Sequence, residues 1–212
     1  MRIAIGLLIV AGLLYSCFGP TRSHSVTIPL KGTEYEITYS MSWGRSMHQK
    51  FKVLPAEAWS IGMLTTVGYE LYDKPYNSGV SIYRTADSKE FYFGLGYGAY
   101  KFNEADGTME GGCYKIDLPA HNEFGEKLIK LSGFKEREAF DPSGRGLWNY
   151  IEPSQLGENI TSMPASKYYK NLIYLGRFGL VRSVKPRRGN RVGFVPASKG
   201  AEPRFGLDHW CG

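Results

Sequence analysis

An antiparallel, all-β or β-rich fold, a sandwich or barrel with at most one or two short helices, is what this sequence predicts. Three observations carry it. The first is composition: 15 Tyr, 11 Phe, 26 Gly and 11 Pro in 212 residues favour pleated strands and tight turns over helices. The second is the run from Glu34 to Trp43, where Tyr35, Ile37, Tyr39, Met41 and Trp43 alternate with Glu34, Glu36, Thr38, Ser40 and Ser42. Strand side chains repeat every two residues, so this pattern is a strand with one dry and one wet face, as antiparallel sheets have. The third is residues 80–102, which read as a long hairpin with aromatic residues on both arms.

Within that hairpin, Val80 and Ile82 alternate up to a polar turn at Thr85–Glu90, where Asp87 and Ser88 can hydrogen-bond their own backbone. The return arm would place Phe91, Phe93, Leu95 and Tyr97 on one face. Tyr92, Gly94, Gly96, Gly98 and Tyr100 would share the other, leaving a bare glycine strip that admits a packed aromatic, a bend or a flat ligand. Before it, Pro20–Ser25 reads as a polar tether, Val26, Ile28 and Leu30 as a strand, Gly44–Gln49 as a polar connection, and Phe51 with Val53 as a short strand. Ile61–Tyr72 reads as a further strand with a bulge at Gly62 or Gly68.

After it, Asn103–Gly107 is a turn, Tyr114, Ile116 and Leu118 alternate, and residues 121–132 are the helix candidate, with Phe124, Leu128 and Leu131 at helical spacing. Residues 141–166 read as a long loop with a strand-like island at Leu147–Ile151. Asn171–Val184 and Arg191–Val195 form a last hairpin around Lys185–Asn190.

The N-terminus carries the most specific motif. Arg2 precedes the uncharged run Ile3–Gly19, the positive and apolar regions of an export signal. As a helix that run spans roughly 25 Å at about 1.5 Å per residue, short against a hydrocarbon core of about 30 Å. It ends Leu14-Tyr15-Ser16-Cys17, which resembles the lipobox of bacterial lipoproteins. The resemblance covers residues 1–17 and implies cleavage before Cys17, whose thiol then carries lipid. An uncleaved anchor and a cleaved soluble protein are the alternatives. The implied organisation is a signal peptide at 1–16, a lipidated cysteine and tether at 17–25, and one β-rich domain at 26–212 with a basic C-terminal section.

Removing Cys17 leaves Cys113 and Cys211, a pair in a compartment that permits disulfides, so a Cys113–Cys211 bond is expected, the alternative being two unrelated thiols. Gly94-Leu95-Gly96-Tyr97-Gly98-Ala99 fits the letters of a dinucleotide-binding turn, but Tyr100–Gly107 continues as strand and turn, where the motif needs a helix N-terminus. The four histidines, at 24, 48, 121 and 209, have no zinc-site spacing, and no metal or cofactor is expected.

Charge is unevenly placed. Residues 162–212 carry +8 and residues 1–161 carry −2, giving the net +6. The positive charge peaks at Lys185-Pro186-Arg187-Arg188-Gly189-Asn190-Arg191. A solubilising surface would account for it; so would an anionic partner, met through Lys185, Arg187, Arg188 and Arg191. After export, the candidates are anionic lipid, envelope polysaccharide or an acidic protein, and not nucleic acid.

The sequence thus points to an exported, lipid-anchored protein of the bacterial cell envelope, facing the periplasm or exterior and acting as a non-catalytic binding or interaction module. The alternative is an envelope hydrolase with its site on the loops around 44–50 and 141–160. Ser46 and His48 would contribute, although no residue set stands out as catalytic.

Overall fold

The alternating run becomes β2 (Tyr35–Trp43), which lies between β1 (Arg22–Pro29) and β3 (Met47–Pro55). With β4 (Val67–Leu71) they make an antiparallel sheet in the order β1-β2-β3-β4. The structure, a computed structural model, describes residues 22–43, 47–56, 67–71, 79–87, 89–95, 98–112, 117–126, 150–182 and 191–203. The second sheet contains β5 (Gly79–Thr85), β6 (Glu90–Leu95), β7 (Gly98–Asn103), β8 (Thr108–Gly112), β9 (Leu172–Val181) and β10 (Arg191–Pro196). Its order is β10-β9-β5-β6-β7-β8, again antiparallel throughout.

The two sheets face each other, because the apolar side of each alternation has nowhere else to go. Ile28, Ile37, Tyr39, Phe51 and Val53 from the first sheet share one buried cluster with Val80, Ile82, Phe91, Phe93, Phe102, Phe178 and Phe194 from the second. Rings cross the gap: Tyr39 stacks on Phe178 at 5.4 Å between centroids, and Phe51 meets Phe93 at 5.5 Å and Tyr100 at 5.2 Å. Each such side chain contributes about 1.5–3 kcal/mol by burial. The expected β-rich class is borne out, as a sandwich.

One side of the sandwich is closed. β1 lies alongside β10, and the Val192 N–H donates to His24 Nδ1 at 3.4 Å across the seam. β4 and β8 are the strands at the other side.

Several expectations change. The supposed hairpin at 80–102 is three strands, since Leu95 at the end of β6 pairs with Gly98 at the start of β7; residues 96–97 lie outside the described residues. Gly94 and Gly98 thus lie on two different strands rather than in a strip along one. Tyr100 therefore joins Phe93 in the core instead of sharing a face with Tyr92. β1 begins at Arg22 and β3 at Met47, so residues 22–25 and 47–49 are strand where polar composition suggested connections; their pairing with β2 continues unbroken. β8 had no apolar alternation to reveal it. Gly68 pairs with Lys52 in even register, Gly62 lies outside the described residues, and β9 carries a bulge at Leu175–Gly176, where Ile82 pairs with Gly176 and Tyr83 with Tyr174 so that Leu175 is skipped. Helix is present at 123–126; the rest of the helix candidate lies outside the described residues.

Candidate functional site

Strand direction sorts the turns into two ends. At one end lie the turn after β1, the Asn103–Thr108 turn between β7 and β8, and the turn between β5 and β6. This end holds Glu34, Asp87, Glu104 and Asp106. The Tyr35 phenol is held above its ordinary pKa first by burial, then by Glu34, Glu104 and Asp106 around it. Asp106 is built into its turn, accepting from Thr108 N at 3.0 Å and Thr108 Oγ1 at 2.6 Å.

At the other end β1 starts, β2 passes into β3, and β9 passes into β10. Trp43, the last residue of β2, pairs with both Arg22 and Met47, so these three residues lie together here. Arg191, exposed and first in β10, pairs with Val181. It lies next to the Val192–His24 seam, and His24 is held below its ordinary pKa by partial burial and then by Arg191. Arg182 is already engaged: its Nε lies 2.6 Å from Glu152 Oε1, and its guanidinium sits 5.7 Å over the Tyr150 ring.

Of the residues singled out in the sequence, Arg191 is thus placed at the end from which β1 departs. Lys185, Arg187, Arg188, Cys17, Cys113 and Cys211 lie outside the described residues. So do Ser46 and the His48 side chain.

A second constellation was not anticipated. On the outer face of the six-stranded sheet, Tyr83, Tyr92 and Tyr174 pack with Leu172 under Tyr168 and Tyr169. Tyr83 meets Tyr174 and Tyr169, each at 5.4 Å between centroids. The Tyr83 and Tyr174 side chains are 0 % and 2 % exposed; the Tyr174 hydroxyl has no hydrogen-bond partner among the described residues, and the Tyr83 hydroxyl interacts with the Glu202 carboxylate. Burial raises both phenols above their ordinary pKa; the Glu202 charge adds to the effect, and at Tyr174 the Arg177 charge opposes it.

Glu202, 8 % exposed, accepts from Ser166 Oγ at 2.5 Å and from Lys167 N at 2.7 Å. Burial pushes its carboxyl above the usual range, opposed by those two hydrogen bonds. Ser166 Oγ in turn accepts from Tyr168 N at 3.2 Å and Tyr169 N at 3.0 Å. A serine whose proton is given to a carboxylate and whose lone pairs are taken by two amides is a buried bracket, not an exposed nucleophile. It pins the segment around Glu202, and with it the start of the C-terminal tail, to the sheet.

The signal for this bracket was faint. Glu202 is one of two acids in the basic section 162–212, and the Gly176 bulge, which puts Tyr174 and Arg177 on the same outer face, breaks the two-residue period. Among the described residues, no three His, Cys, Asp or Glu side chains come together to hold a metal ion. No family model, curated protein or solved structure matches this chain.

Proposed function

We propose that the protein is exported, lipid-anchored through Cys17 in the bacterial cell envelope, and acts there as a non-catalytic binding module. Lys185, Arg187, Arg188 and Arg191 meet its anionic partner, and a Cys113–Cys211 disulfide ties the basic tail to the body. One observation supports this reading above the others: β1 and β10 run side by side and begin at the same end. Arg22, the first described residue after Cys17, and Arg182 and Arg191, which flank Lys185, Arg187 and Arg188 in sequence, therefore lie at the same end. Guanidiniums suit such a partner, since each presents a planar fork for two-pronged contact with phosphate or carboxylate.

The anchor is tested by radioactive palmitate labelling of the parent and of Cys17→Ala in a bacterial host, with membrane fractionation. Label and membrane retention are expected in the parent alone. Equal labelling of both would exclude Cys17 as the lipid carrier.

A further inference from the structure

We infer that the seam between β1 and β10 is a pH-sensitive latch: protonation of His24 releases the Val192 end of the seam while the rest of β1 stays seated, so that acid opens the sandwich locally without unfolding it. The latch depends on neither the anchor nor the anionic partner proposed above.

β10 stands at the edge of its sheet, and that edge is covered in two different ways. Val192 and Phe194 pair with Leu180 and Phe178 and lie two residues apart, so their backbone groups point to the same side. The Phe194 carbonyl accepts from the Gly157 N–H at 3.0 Å, a backbone bond indifferent to pH. The Val192 N–H donates instead to His24 Nδ1 at 3.4 Å, on a side chain that titrates close to neutrality. Among the described residues no backbone hydrogen bond runs between β1 and β10, so the histidine is their polar tie.

A proton removes that tie. The imidazolium carries a hydrogen on both nitrogens and accepts at neither. Val192 is 2 % exposed, so its N–H would be left buried without a partner, a loss that water repairs only by entering the seam. Charge acts in the same direction. On β10 the group that faces His24 is Arg191, and a second cation beside it is repelled. On β2 the residue paired with His24 is Met41, uncharged, while the one acid of that strand, Glu36, stands near its other end. The closed seam and the proton therefore oppose each other, and the proton binds more tightly once the seam has parted.

The opening stops short of the core. Inward from His24, β1 carries Val26, packed against the main cluster, and Ile28, wholly buried, with Leu30 following them. The ladder to β2 consists of backbone pairs that no proton disturbs.

Amide hydrogen exchange on the full chain in detergent micelles, read by NMR as protection factors so that the intrinsic pH dependence cancels, tests this. Between about pH 7.5 and about pH 4.5, Val192 should lose protection at least about tenfold, with the amides of β5 and β9 unchanged. His24→Asn, whose side-chain oxygen accepts at any pH, should hold Val192 protection constant. Arg191→Gln should move the midpoint of the fall to higher pH, because a repelling charge has gone. Equal protection of Val192 at both pH values, or an equal fall in His24→Asn, would overturn the latch. So would a fall shared by β5 and β9, which would be global unfolding, or a midpoint unmoved in Arg191→Gln, which would place the titrating group elsewhere.

Discussion

Gly176 offers the most direct test of how the six-stranded sheet is built. Its φ of +142° belongs to a region that is essentially glycine's alone, and a Cβ placed on it would lie 2.4 Å from the Val195 carbonyl oxygen and 2.6 Å from the Phe194 ring. Holding a non-glycine residue there costs about 1–3 kcal/mol. The clash is with backbone and with a core ring packed against Phe178, so relief requires β10 to move, at a further cost of about 1–3 kcal/mol. Gly176→Ala should therefore destabilise by about 2–6 kcal/mol, a large share of the roughly 5–15 kcal/mol that holds a domain folded. Gly107→Ala is the control. Its φ of +65° costs about 1–2 kcal/mol, and its nearest obstacle is the Tyr35 hydroxyl at 3.2 Å, the far end of a side chain. Urea unfolding followed by circular dichroism, with the m-value checked for constancy, measures both. The bulge would be refuted by a Gly176→Ala loss below about 1 kcal/mol, or below that of Gly107→Ala.

The remaining predictions concern the pinned tail and the seam. The Glu202 pKa is raised by folding, so its contribution to stability is complete below the unfolded value of 4.5 and fades as pH rises through the folded one; Glu202→Gln should remove that downward slope. An unchanged pH profile by thermal melting in Glu202→Gln would show that Glu202 does not set it. Glu202→Ala strips Ser166 Oγ and Lys167 N of their acceptor and should cost about 2–4 kcal/mol in urea unfolding, each hydrogen bond to a charged group being worth about 1.5–3 kcal/mol. The His24 pKa is lowered, so its contribution is complete above 6.5 and declines as pH falls, because imidazolium cannot accept from Val192 N–H. Arg191 is the charged group that faces it, and His24→Asn, which keeps an acceptor in place, should flatten this limb of the same melting profile. Non-reducing mass spectrometry of the exported chain should find Cys113 and Cys211 joined, a link worth on the order of 4–5 kcal/mol in the loop-closure picture; two free thiols would disprove it.

Local alternation made part of the fold legible in the sequence. β2 needed no more than its ten-residue pattern, and the β9–β10 hairpin was recognisable from two apolar runs around a basic, glycine-containing connection. Gly94-Leu95-Gly96-Tyr97-Gly98 was misread because glycine satisfies a strand and a two-residue reversal equally well, and only the pairing of Leu95 with Gly98 separates them. β8, Thr108–Gly112, has one apolar residue in five, so its existence depends on the edge that β7 offers it. The Glu202 bracket joins residues more than thirty positions apart, through a face whose phase the Gly176 bulge inverts. No local pattern records such a contact. At the basic end, Arg191 could be read from charge alone; its proximity to β1 required the closing of the two sheets.

The pairing of β1 also has a mechanical meaning. Eight register pairs, from Arg22 with Trp43 to Pro29 with Glu36, join it to β2, and the chain enters it at Arg22, on the side of the proposed anchor. Tension between the membrane and anything held at the far turns would run parallel to these strands. It would load the rungs of the ladder in shear, sharing the force among them, where a sideways pull would open them one after another like a zip. With the proposed anchor at Cys17, the N-terminal strand would serve as the grip through which the domain is held.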